Sequence, residues 1–195
     1  EALGEGDTAS PWLVFHTGTP TPLTVSRGDV MAQALAWAAA IQKATGLEDK
    51  ATAGGRVGVL LPNGPDFVSA FFAAQALGAV AVPLPWPVVD GAPERLLETL
   101  RPVLQRARLD ALITTPACGA VEWGTAVLTA PLQSAPADAA PPAGVASSAP
   151  AFMQFTSGST GDPRGAVISQ RAALSSATAM AGALGLGPSD VGVSW

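Results

Sequence analysis

RVGVLLPNGPDFVSAFFAAQALGAVAVPL, residues 56–84, holds a strand, a helix and a second strand in one short span. Arg56 to Pro62 is a continuous apolar run with few polar positions, the mark of a strand buried on both faces. Asn63-Gly64-Pro65-Asp66 is turn chemistry, and the Asp66 carboxylate is expected to cap the helix that follows. Phe67 to Leu77 reads as that helix, stopped at Gly78, and Ala79 to Leu84 reads as a second buried strand.

Working outward, the alternation continues. Ser26-Arg27-Gly28-Asp29 has the S-x-x-D shape of a helix start, in which hydroxyl and carboxylate satisfy free backbone N–H groups. Val30, Ala34, Trp37, Ala38 and Ile41 then fall on one helical stripe, and Gly46 is the expected stop. Pro93 to about Ala107 has a helical pattern that Pro102 is expected to break, kink or restart. Leu109 to Thr114 reads as a third strand, and residues 116–132 admit a short strand near Val127 without demanding one. Phe152 to Thr156 and Ala166 to Ser169 read as strands, Gln170 to Leu184 as a helix ending at Gly185, and Asp190 to Trp195 as the start of a further strand. Strands alternating with helices imply an α/β fold, a layered and largely parallel sheet flanked by helices. The expected organisation is a lead-in over 1–11, a first α/β portion over 12–132, an Ala/Pro/Ser-rich loop over 133–151, and a last portion over 152–195.

Composition bounds the function. The 195 residues suit one domain or a large piece of one. Apolar residues reach 48 %, but 39 residues are alanine, so much of that figure is small side chain. The formal charge is −5, which gives no electrostatic case for nucleic acid or anionic membrane. One cysteine, Cys118, and one histidine, His16, allow neither an internal disulfide nor a Cys/His zinc cluster. A reducing, cytoplasmic setting fits this cysteine usage. No apolar run nears the roughly 20 residues that span a bilayer. The acidic start, Glu1-Ala2-Leu3-Gly4-Glu5, lacks signal-peptide order and an initiator Met, so processing or excision from a longer chain is expected.

The chemistry sits in residues 156–165, Thr-Ser-Gly-Ser-Thr-Gly-Asp-Pro-Arg-Gly. Glycines let backbone N–H groups converge in a concave nest, the hydroxyls add donors, and Arg164 adds a planar cation suited to phosphate oxygens. The segment is neither a Walker A loop nor G-x-G-x-x-G. On composition alone, a flexible surface loop explains it equally well.

In its order, FMQFTSGSTGDPRGAVISQ, residues 152–170, resembles the phosphate-binding signature of the adenylate-forming superfamily, also called ANL or AMP-binding. Residues 21–41, 56–84 and DVGVSW at 190–195 resemble neighbouring segments of its large N-terminal domain, so the likeness covers roughly 12–195. MQFTSGSTGDPRG is most similar to fatty acyl-AMP ligases, and acyl-CoA synthetases share most of these features. The resemblance implies ATP-dependent activation of a carboxylic acid, a fatty acid by the likeness to fatty acyl-AMP ligases, as an acyl-adenylate. Pyrophosphate leaves, and the acyl group passes to an acyl carrier protein or CoA thiol, in lipid metabolism or in polyketide or nonribosomal peptide synthesis. It implies that Thr156, Ser157, Gly158, Ser159, Thr160 and Gly161 wrap the ATP phosphates and that Arg164 is the catalytic cation. Mg²⁺ is implied as well, with its ligands, the adenine pocket and a catalytic lysine all beyond Trp195, so no metal ligand is assigned in this chain and the chain alone should not complete adenylation. The remainder of the enzyme, or downstream synthase domains, is the implied partner.

Other residues take plainer readings. Gln170 stands where relatives often carry His, so no histidine role transfers. His16 and Cys118 read as structural or inert, Trp12, Trp37 and Trp86 as packing groups, and Arg95, Arg101, Arg106 and Arg108 as a solvated helix face. A non-catalytic nucleotide-binding or interaction module derived from the family, and an unrelated phosphate-binding α/β protein, remain the alternatives.

Overall fold

A computed structural model describes residues 8–16, 18, 20–47, 54–86, 93–130, 144–156, 162–187 and 190–193. Two antiparallel strands, β1 (Pro11–Phe15) and β2 (Leu23–Ser26), lead into helix α1 (Arg27–Thr45). Then follow β3 (Arg56–Leu60), α2 (Pro65–Ala76), β4 (Val80–Pro83), α3 (Pro93–Ala107), β5 (Ala111–Thr114), the one-turn α4 (Pro116–Gly119) and β6 (Ala126–Thr129). Strands β7 (Pro150–Thr156) and β8 (Arg164–Ser169) and helix α5 (Gln170–Leu184) complete the order. Six strands form one sheet in the order β6-β5-β3-β4-β7-β8, parallel throughout except for the β7–β8 pair.

The layered α/β arrangement expected from the sequence is present, and its cause is the double-sided burial of the middle strands. Val57 and Val59 on β3, Ala81 on β4 and Ile113 on β5 join Trp37 and Ile41 of α1 and Ala70 and Ala73 of α2 in one core. Leu60, Val80, Val82 and Leu112, the alternate positions of those strands, join Leu100 and Ala107 of α3 in the other. Period-two alternation therefore feeds two cores, which is why these strands carry no polar face. Gly58 belongs to the same logic: a Cβ there would sit 2.5 Å from Leu109 Cδ1 and 2.9 Å from Leu112 Cδ1.

Several expectations need correction. Asp66 does not cap α2: the N-cap is Gly64, without a side-chain cap bond, and Pro65 fills the first turn where a free N–H would otherwise need a partner. Asp66 is instead half-buried, and that burial raises its carboxyl above the usual 3.8. Pro102 neither breaks nor restarts α3, which runs unbroken from Pro93 to Ala107. An interior proline costs about 3 kcal/mol, but Pro102 faces solvent while Leu96, Leu97, Leu100, Val103, Leu104 and Ala107 pack the second core. Buried Leu100 recovers about 1.5–3 kcal/mol, and the half-buried Leu96, Leu97, Val103 and Leu104 add to it, so packing wins. Residues 190–193 form no strand, and Val191 and Val193 are exposed because no neighbouring strand among the described residues pairs with them. Ser194 and Trp195 lie outside the described residues. Strand β7 begins at Pro150, inside the stretch read as a loop, and β1 begins at Pro11, inside the lead-in; residues 1–7 and 131–143 lie outside the described residues. The β1–β2 ribbon was not anticipated, because its strands are short and half-exposed and lack the apolar run that marked the others.

Helix α1 starts as the sequence implied. Ser26 Oγ accepts from Asp29 N at 3.1 Å, and Ser26 N donates to Asp29 Oδ2 at 2.8 Å, a reciprocal capping box. The Ser26 hydroxyl also donates to Asp29 Oδ2, and these bonds hold the Asp29 carboxyl below 3.8. A depressed native value means that the unfolded chain binds more protons in acid. This contribution to stability is therefore present above pH 3.8 and is lost as pH falls through the native value. Ser26→Ala should lower stability by about 1 kcal/mol at neutral pH, with the gap to the parent narrowing below pH 3.8 in thermal melts.

Helix α5 buries no side chain, and Leu174, Met180 and Leu184 are 60–70 % exposed beside the edge strand β8. An apolar helix face next to an unpaired strand edge favours association. The 195-residue polypeptide should therefore form dimers or larger species as its concentration rises in sedimentation; a monomer at every concentration would contradict this.

Candidate functional site

The two ends of the Gly/Ser/Thr loop are fixed by the β7–β8 hairpin. Thr156 ends β7, Arg164 begins β8, and the two are Cα partners in the antiparallel ladder. Thr156 Oγ1 donates to the Arg164 carbonyl at 3.5 Å, a contact at the weak limit that leaves the hydroxyl easily recruited. Both residues are exposed. Ser157, Gly158, Ser159, Thr160 and Gly161 lie outside the described residues. The structure thus brings Thr156 and Arg164 together across one rung, at the two sides of the loop.

The ladder also explains Gly165. A Cβ there would sit 2.9 Å from Met153 Sδ and 3.2 Å from Phe155 Cε1, and Met153 and Phe155 anchor the hairpin in the second core. At the far end of the hairpin, Gln170 N donates to Ala149 O at 2.9 Å, and Ser169 caps α5 by accepting from Ala172 N.

Arg164 does not stand by itself. Arg56, Arg106 and Arg108 line the same open groove, of about 610 Å³, together with Met153 and Phe155. Arg56 Nη1 donates to the Ala107 carbonyl at the end of α3 at 2.7 Å, and Arg106 pairs with Asp162 at 3.0 Å. That ion pair is solvent-exposed on both sides, so it adds little stability, but it ties α3 to the loop. Arg108 has φ of 50°, the one described non-glycine residue in the left-handed region. For a residue with a Cβ this conformation costs about 1 kcal/mol.

Sequence reasoning missed this grouping. Arg106 and Arg108 read as a solvated face, and they are exposed, but Arg106 is also engaged with Asp162. Arg56 carried no signal at all, being remote in sequence from residue 164. The remaining residues behave plainly. His16 is exposed, Cys118 is buried, and Trp37 is fully buried in the first core. Trp123 donates Nε1–H to the Cys118 carbonyl at 2.8 Å. Among the described residues no group of three or more His, Cys, Asp or Glu could hold a metal ion, and no helix is long and apolar enough to cross a membrane.

The comparisons place this geometry in a family. The family model for AMP-binding enzymes matches residues 14–195, and the chain belongs to that family. It is 34 % identical over 134 residues to a 4-hydroxyphenylalkanoate adenylyltransferase of Mycobacterium marinum, a match covering 60 % of this chain and 20 % of that protein. Among solved structures, a fatty acyl-adenylate ligase from L. pneumophila, bound to acyl adenylate and pyrophosphate, superposes with a TM-score of 0.76. It is 22 % identical, and the match covers 91 % of this chain and 30 % of that one. A structure from work on fatty acyl-adenylate ligases of E. coli and L. pneumophila is 30 % identical, with a TM-score of 0.68 over 86 % of this chain and 31 % of that one. The chain therefore spans about a fifth of that curated relative's length and about a third of those solved chains.

Proposed function

We infer that this chain supplies the phosphate-binding hairpin of an AMP-forming acyl ligase of the fatty acyl-AMP ligase type. That enzyme activates a carboxylic acid as its acyl-adenylate and passes the acyl group to a carrier-protein or CoA thiol. The observation that carries this reading is the pairing of Thr156 with Arg164 across the mouth of a loop rich in Gly, Ser and Thr, inside a chain of the AMP-binding family. The likeness to a fatty acyl-adenylate ligase at 30 % identity supports the acyl type.

The donor set fits phosphate. Hydroxyls at Thr156, Ser157, Ser159 and Thr160 and the guanidinium of Arg164 are donors for anionic oxygens, and Gly158 and Gly161 let the backbone approach them. The loop's own carboxylate, Asp162, pairs with Arg106, so the set is rich in donors for anionic oxygens. These residues therefore bind and orient the β- and γ-phosphates of ATP. When the substrate carboxylate attacks the α-phosphorus, the bond to the β-phosphate oxygen breaks and negative charge grows on the departing pyrophosphate. Arg164, a planar guanidinium, stabilises that charge more than it stabilises bound ATP.

Arg164→Ala in the full-length enzyme should lower kcat for ATP–pyrophosphate exchange by about a hundredfold, with little change in KM for the acid. Equal losses in kcat and in acid binding would remove the assigned role.

A further inference from the structure

We propose that the groove between the end of α3 and the β7–β8 hairpin is a second phosphate-binding locus, which takes a phosphate-bearing small molecule on Arg56, Arg106 and Arg108 beside Arg164. The proposal goes beyond the loop reading above and does not need it. Half of the chain's eight arginines line this one groove, in a chain whose formal charge is −5. Among the described residues, one carboxylate side chain, Asp162, forms an ion pair with them. The neighbouring Asp110 accepts from the Arg56 backbone N–H, as one of its interactions. Arg108 and Arg164 make no side-chain hydrogen bond or ion pair among the described residues. The planar forks of guanidinium groups match phosphate oxygens.

A purely structural role accounts for part of the cluster. Arg56 and Arg106 complement the negative C-terminal end of α3, and Arg56 satisfies its Ala107 carbonyl. It does not account for Arg108. The residue that leaves a helix in the left-handed conformation is usually glycine, as Gly46 and Gly185 are after α1 and α5. After α3 that conformation falls on an arginine, and the strained arginine lines the groove. Glycine would serve the local fold at least as well, so the backbone there does not call for the arginine side chain that lines the groove.

That mismatch separates the two roles. Inorganic pyrophosphate is titrated calorimetrically, at low salt, into the parent protein, Arg108→Gly and Gly158→Val. Arg108→Gly should melt no lower than the parent, because glycine adopts φ of 50° without strain. It should nevertheless bind pyrophosphate about three- to tenfold more weakly, while Gly158→Val keeps the groove's share of binding. Parent-like affinity in Arg108→Gly, or no binding to the parent at millimolar pyrophosphate, overturns the proposal. Loss confined to Gly158→Val also overturns it and leaves the loop reading intact, whereas loss confined to Arg108→Gly upholds the groove and removes the loop. Displacement of bound pyrophosphate by ATP or by 4′-phosphopantetheine then tells a nucleotide's polyphosphate from the phosphate of a thiol acceptor; displacement by either supports the groove, and displacement by neither refutes it.

Discussion

Everything in this molecule hangs on β3 being buried on both faces. Val57 and Val59 face the α1–α2 layer while Leu60 faces the α3 layer, so one five-residue strand is shared by both cores. Its backbone is closed on each side by a parallel neighbour, β4 and β5, which leaves no edge and no polar face. Gly58 allows Leu109 and Leu112 to come down onto that strand and so sets how closely the α3 side packs. Polar substitution within Val57–Leu60 would strand a group between two apolar layers with no water on either side.

The central strands were legible because burial on both faces writes a continuous apolar run, and helices α1 and α2 because caps and a core-facing stripe surround them. The stripe Val30, Ala34, Trp37, Ala38, Ile41 is buried in full, and Ser26 caps α1 as its spacing implied. The misreadings share one physical cause, tertiary packing overriding a local rule. Pro102 is carried because the opposite face of α3 is anchored, and Asp66 yields its capping place to Gly64 because Pro65 already occupies the first turn. The end of the chain shows the reverse. Val191 and Val193 have strand-like residues, but β-structure requires a neighbour to bond, and none of the described residues provides one.

At the candidate site, residue types were legible and surroundings were not. A dense run of glycines and hydroxyls is a local signal, and so is an arginine three residues beyond it. The hairpin adds the register, placing Arg164 opposite Thr156 with loop ends held by Met153 and Phe155 in the core. The remaining arginines arrive from β3 and from the end of α3, elements whose positions depend on the whole sheet. No window along the chain contains Arg56 and Arg164 together, so no pattern search could join them.

Net charge is a sum over the whole chain and does not describe one groove. The total of −5 argues against a polyanion partner only if charge is evenly spread, and fields from exposed groups fade within roughly 8–10 Å at physiological salt. What a ligand meets is therefore the local set, and four arginines line this groove, one of them paired with Asp162. Size then limits what can use it. Nucleic acid is bound by a cationic track that follows many phosphates, whereas a groove of about 610 Å³ falls in the range of small-molecule sites and accommodates one phosphorylated group. The acidic total and the proposed anion site are thus compatible: the first disfavours long polyanions at the surface, and the second would take a short, multiply charged one.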